Sequence, residues 1–99
     1  MTEVERLEAE AHRRQGLLQE VAAERRRQDV KWGGADHDDH HSTADFVQLI
    51  EDYAGWARTM AGMNSHDKAR QRLVQVAALA LAACERIDRA KLGYSVAPL

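Results

Sequence analysis

Between Leu73 and Cys84, eleven of twelve residues are apolar, interrupted by Gln75 alone. Alanine and leucine dominate the run, so it reads as a helix. It is too short to cross a bilayer, which takes about 20 apolar residues in helical form. Being apolar nearly all round, the helix has to be covered on several sides. Its last residue, Cys84, is the chain's one cysteine. That excludes an internal disulfide and reads as a small buried side chain in a reducing compartment.

Ninety-nine residues, 44% of them apolar, suffice for one domain. A chain this short buries a smaller share of its surface than a longer one, so self-association is the expected remedy. One proline, few aromatics and abundant Ala, Leu, Glu, Arg and Gln point to an all-α fold. The net charge of −2 speaks against nucleic acid as a general partner, because such binders carry a strongly basic face. Charge is unevenly spread. Residues 1–31 balance seven basic against seven acidic side chains, residues 35–52 hold six acids and no Lys or Arg, and residues 58–91 hold seven basic against three acidic. The acidic segment is therefore placed to meet a basic one.

The periodicity divides the single domain, 1–99, into an N-terminal helix (1–32), an Asp/His-rich loop (33–43), a helical hairpin (44–92) and a tail (93–99). Thr2 and Glu5 form a capping-box pattern, and Val4, Leu7, Ala11, Leu18 and Val21 follow at roughly heptad spacing. Gly16 weakens the middle of this helix by about 1 kcal/mol relative to Ala, so a bend or division is expected there. Gly33-Gly34 ends it. Ser42 or Thr43 caps the next helix, whose Phe46, Leu49, Ile50, Tyr53, Ala57 and Met60 share a face up to Gly62. Asn64 or Ser65 caps the last, which runs to about Leu92 before Gly93. The short connection makes the last two helices antiparallel, with Asp52 level with Gln75, Gly55 with Arg72, and the loop with Glu85 and Asp88. Hairpins from separate chains, in a homodimer or homotetramer, are expected to complete a four-helix core.

Leu49-Ile-Glu-Asp-Tyr-Ala-Gly55 and Arg72-Leu-Val-Gln-Val-Ala-Ala78 resemble the two metal-binding helices of the MazG-like all-α nucleotide pyrophosphohydrolases. Glu24-Arg-Arg-Arg-Gln28 and His37-Asp-Asp-His-His41 resemble signatures of the small phage-borne members, including dATP/dGTP diphosphohydrolase-like ones. Together the likenesses cover residues 20–90. They imply nucleoside triphosphate binding and cleavage of the α–β phosphate bond by metal-activated water. In that family a Glu-x-x-Glu and a Glu-x-x-Asp converge on Mg²⁺, a hard cation that takes oxygen ligands. Here Asp52, with Glu51 beside it, stands at the first acid; Gly55, Arg72 and Gln75 occupy the other three positions. One carboxylate facing an arginine leaves two readings: a residual divalent site at Glu51 and Asp52, or an Asp52–Arg72 ion pair in the metal's place.

Two further clusters carry alternatives. Arg25, Arg27 and Lys31 suit phosphates and Trp32 suits base stacking, or they form a solvated helix end. His37, Asp38 and His40, with Glu85 and Asp88, offer nitrogen and oxygen donors for Zn²⁺, Mn²⁺ or Ni²⁺. The other reading is an acidic lead-in to the second helix, with Asp38 or Asp39 paired to Arg25–Arg27 and histidines bonded to backbone. No nucleophile stands in a triad context. The expected function is a MazG-like pyrophosphohydrolase homologue, catalytic or reduced to nucleotide binding. The alternative is a non-enzymatic phage protein that sequesters a nucleotide signal or a host protein. No signal-peptide pattern is visible, so the cytoplasm, that of a bacterial host for a phage protein, is the expected location, with no membrane partner.

Overall fold

The computed structural model describes residues 1–93, so the expected tail beyond Gly93 lies outside the described residues. The described chain is all-helical: α1 (Glu3–Trp32), α2 (Gly34–Asp39), α3 (Thr43–Gly62) and α4 (His66–Lys91). Two long helices and the hairpin partner fall where the periodicity puts them. The 33–43 segment does not stay a loop, because its first half winds into α2.

Each boundary has a local cause. Thr2 Oγ1 accepts the Glu5 N–H at 3.1 Å, so only the first half of the capping box forms. α1 continues unbroken through Gly16. It stops at Gly33, whose φ of +101° is open to glycine at little cost and whose N–H reaches Asp29 O at 2.8 Å. Ser42 and Asp45 make the complete reciprocal capping box at the start of α3. The Ser42 backbone N–H, then its hydroxyl, hold the Asp45 carboxyl below its ordinary pKa. Asn64, at φ +58°, turns the chain into α4. Ser65 is the N-cap there, but without a side-chain bond.

α4 is the shared element. It packs on α3 along the hairpin, on α1 at the other side and on α2 near its C-terminal end, while the backbones of α1 and α3 do not approach each other. The buried apolar side chains among the described residues are Phe46, Ala57, Ala69, Ala78, Leu79, Ala82 and Ala83. Five of these seven are alanine, which lets helix backbones approach closely but removes little apolar surface from water. Leu49, Ile50, Tyr53 and Met60 lie half-buried on the expected face of α3. Cys84, expected inside, is exposed. No helix of the described residues is long and apolar enough to cross a membrane.

Candidate functional site

Where α1, α2 and α4 converge, Arg25 is the hub. Its Nη2 donates to Asp38 Oδ2 at 2.7 Å, its Nε to Glu85 Oε1 at 3.0 Å and its Nη1 to Asp29. One guanidinium thus ties three helices through three carboxylates, a geometry that its planar fork of donors permits. Burial would lower the Arg25 pKa, but the hydrogen bonds to Glu85 and Asp29 and the Asp38 charge raise it overall. Arg25 therefore stays charged. A second bridge closes the same corner, from Arg89 Nη2 to Asp39 Oδ1 at 2.9 Å.

This corner contains the residues expected to hold a metal, and the structure uses them otherwise. Asp38 and Glu85 are turned onto Arg25. His40 Nδ1 bonds Asp36 O, and His41 Nδ1 bonds His37 O at 3.0 Å. Asp88 is exposed. Among the described residues, no three His, Cys, Asp or Glu side chains form a group able to hold a metal ion. Of the two readings of the 36–41 cluster, the geometry is that of the salt-bridged lead-in to α3.

Arg25, Arg27, Lys31 and Trp32 likewise fail to gather around a common space. Arg25 points inward. Arg27 is forked onto Glu24 at 2.8 and 2.7 Å, which raises its pKa, with a smaller contribution from the Tyr53 phenol. Lys31 Nζ sits 5.6 Å from the centre of the Trp32 ring. Trp32 in turn stacks on His37 at 6.0 Å, so its ring faces are engaged by the protein. The open groove nearby, about 350 Å³ between α1 and α4, is rimmed by Glu20, Glu24, Asp67, Arg27 and Arg70. Glu20 and Arg70 are forked together across it, so no net positive charge awaits a phosphate there.

The hairpin positions that the resemblance aligns with a metal motif present a different surface. Asp52 and Arg72 are not paired. The exposed Asp52 accepts from Gln48 Nε2 at 3.0 Å, while Arg72 donates to Gln75 Oε1 at 3.1 Å. The Arg72 guanidinium lies 5.2 Å from the Trp56 ring centre and 5.7 Å from that of Tyr53. Those rings are 4.9 Å apart, tilted by 50°. The aromatic quadrupoles take the place of the carboxylate that the ion-pair reading assigns to Arg72. Equal counting from the turn placed Gly55 beside Arg72, and the neighbouring Trp56 proves to be the contact. Gly55 itself faces open space, and Glu51 is exposed. Asp52, engaged by Gln48, and the exposed Glu51 beside it are two carboxylates at most, short of the several oxygen ligands that Mg²⁺ takes.

Sequence reasoning missed two buried polar residues, Arg86, 1% exposed, and Gln28. Gln28 is 2% exposed, and neither its Oε1 nor its Nε2 has a hydrogen-bond partner among the described residues. Its heptad phase, shared with Val21 and Arg25, was the available signal. A buried amide without partners carries its full desolvation cost, which a thioether of similar shape does not. Gln28→Met should therefore raise stability by about 1 kcal/mol, checked as a higher urea midpoint at unchanged slope. Set against known proteins, the chain matches no family model, no curated protein and no solved structure.

Proposed function

We propose that this chain is a MazG-like homologue that binds a nucleoside triphosphate or a related nucleotide on the α3–α4 hairpin and does not hydrolyse it. The observation that carries the reading is the Tyr53–Trp56–Arg72 cluster. It joins two aromatic faces to a half-buried cation that has no acidic partner among the described residues; Arg72 stands at one of the positions aligned with the family's metal motif, and Tyr53 and Trp56 each directly follow another. Trp56 is 47% exposed, so a base would meet the part of its ring that Tyr53 and Arg72 leave open, and a guanidinium is suited to bidentate phosphate contact. Arg72 replaces an acid at the position where the family would use Mg²⁺ to neutralise phosphate charge. Binding then needs no divalent ion, and the α–β cleavage step has no activated water.

Thermal unfolding at fixed protein concentration tests this with ATP, dATP, GTP and dGTP, each with and without Mg²⁺. At a free nucleotide concentration ten times Kd, stabilisation is about 1.4 kcal/mol, or roughly 6–11 °C for a domain of this size. Trp56→Ala and Arg72→Gln should each abolish the shift. No pyrophosphate should appear on prolonged incubation. Metal-dependent release of pyrophosphate would show that hydrolysis is retained, and the absence of any shift across the four nucleotides would reject nucleotide binding.

A further inference from the structure

The first two-thirds of α1 have almost no cover: of residues 3–20, only Ala9 is even half-buried. Eighteen helical residues form an arm about 27 Å long. The arm is amphipathic. Val4, Leu7, Ala11 and Leu18, with Arg14 between the last two, stand in the same heptad phase as Val21, Arg25 and Gln28, of which Val21 and Arg25 meet α4 and Gln28 is buried. Val4, Leu7 and Leu18 are 62%, 57% and 53% exposed. One stripe thus has its C-terminal half buried inside the chain and its N-terminal half bare.

The complementary surface is also bare. Leu73, Ala77, Leu81 and Cys84 form one ridge of α4, and all four are exposed. Beside them a mainly apolar groove of about 210 Å³ is lined by Leu17, Val21, Leu73, Val74 and Ala77, with Arg70 at its edge. It begins where the arm emerges, so arm and ridge are parts of one continuous face. The flanks of the arm carry Glu3–Arg6 and Glu10–Arg13 pairs, a mixture of signs unsuited to an anionic lipid surface or to nucleic acid.

The chain's dimensions agree. Its radius of gyration is 16.1 Å, whereas a compact domain of this length has about 12.6 Å. It exposes 6992 Å², about 1,300 Å² more than a compact monomer of its mass. That excess surpasses the roughly 800 Å² each partner loses in a standard interface.

We propose that a second copy of this chain covers this face, the arm of each copy lying in the α1–α4 groove and along the α4 ridge of the other. Donor stripe and acceptor groove are on the same chain, so two copies can exchange arms reciprocally, which closes the assembly with two-fold symmetry.

Sedimentation velocity of the full chain tests this at micromolar concentration, with an arm variant (Leu7→Glu with Leu18→Glu) and a groove variant (Ala77→Glu with Leu81→Glu). Wild type and the opposite-face control Arg13→Ala should sediment at twice 11.1 kDa. Each variant alone should sediment as a monomer. An equimolar mixture of the two should regain dimer, since one intact arm then meets one intact groove. A wild-type monomer, variants that keep wild-type mass, or a mixture that stays monomeric would each overturn the arrangement. Hydrogen exchange of the wild type needs no variant to fold. Arm amides should be protected at high concentration and lose that protection on dilution, and arm amides unprotected at every concentration would also overturn it.

Discussion

Arg25→Ala should destabilise the protein by about 3 kcal/mol, the lower end of the range for breaking a buried charge network. The lower end applies because the partners differ in burial. Asp38 is 6% exposed at its side chain, but Asp29 and Glu85 are 42% and 44% exposed, so water screens much of their charge once the guanidinium is gone. The cost is carried mainly by Asp38, left buried without a cation. For a domain of this size the loss corresponds to roughly 12–24 °C in Tm. Arg25→Lys should recover part of it, since an ammonium keeps the charge but cannot fork toward three helices. Asp38→Asn in the Arg25→Ala background should recover more, giving a clear coupling energy in a double-mutant cycle. Urea unfolding at constant protein concentration provides the measurement. A cost below 0.5 kcal/mol would mean that the corner is held by packing, not by its charges.

That corner also marks where sequence reasoning succeeds and where it stops. The charge distribution predicts that the acidic 35–52 segment meets basic residues, and Asp38 does meet Arg25 while Asp39 meets Arg89. α2 itself was not legible. Gly-Ala-Asp-His-Asp-Asp has no apolar period, and six residues are too few to form a helix unaided. What fixes the segment is tertiary: the Asp38 and Asp39 bridges, with His40 and His41 bonding backward onto its own carbonyls. Caps were easier. Ser42 with Asp45 and Gly33 at its positive φ each follow from one or two residues whose chemistry is local.

The hairpin separates two kinds of information. Counting from a turn gives the level of a residue along the helix axis, and at that level Arg72 does meet the α3 segment beside Gly55. It does not give the azimuth at which a side chain leaves the helix. Asp52 leaves toward solvent and Gln48, while Tyr53 and Trp56, three apart and so on one side, present their rings to Arg72. The expected ion pair failed on azimuth, not on level. A similar ambiguity concealed Cys84: an all-round apolar helix buries every side only when enough partners surround it, and within one chain α4 has too few.

The scarcity of large core side chains makes Phe46 the second sensitive position. Phe46→Ala should cost about 4 kcal/mol, within the usual range for a buried aromatic. Phe46 is 3% exposed, and its buried apolar neighbours are Ala82 and Ala83. Methyl groups on rigid helices have no length with which to reach into the space the ring vacates, so the cavity stays open and the cost does not relax. Phe46 also meets the edge of His41, with ring centres 6.1 Å apart at 61°. His41 in turn lies 4.4 Å from His37 in α2. Loss of the ring should therefore loosen α2 as well as the hairpin, and amide exchange in residues 34–41 should accelerate more than global unfolding alone explains. Phe46→Leu should retain more than half of the stability lost in the alanine variant, because it refills most of the volume but not the aromatic edge contact. If Phe46→Ala cost less than 1 kcal/mol in urea unfolding, the α3–α4 seam would have to be held by alanine packing alone, and the ring would be a cover for α2 and not the centre of the core.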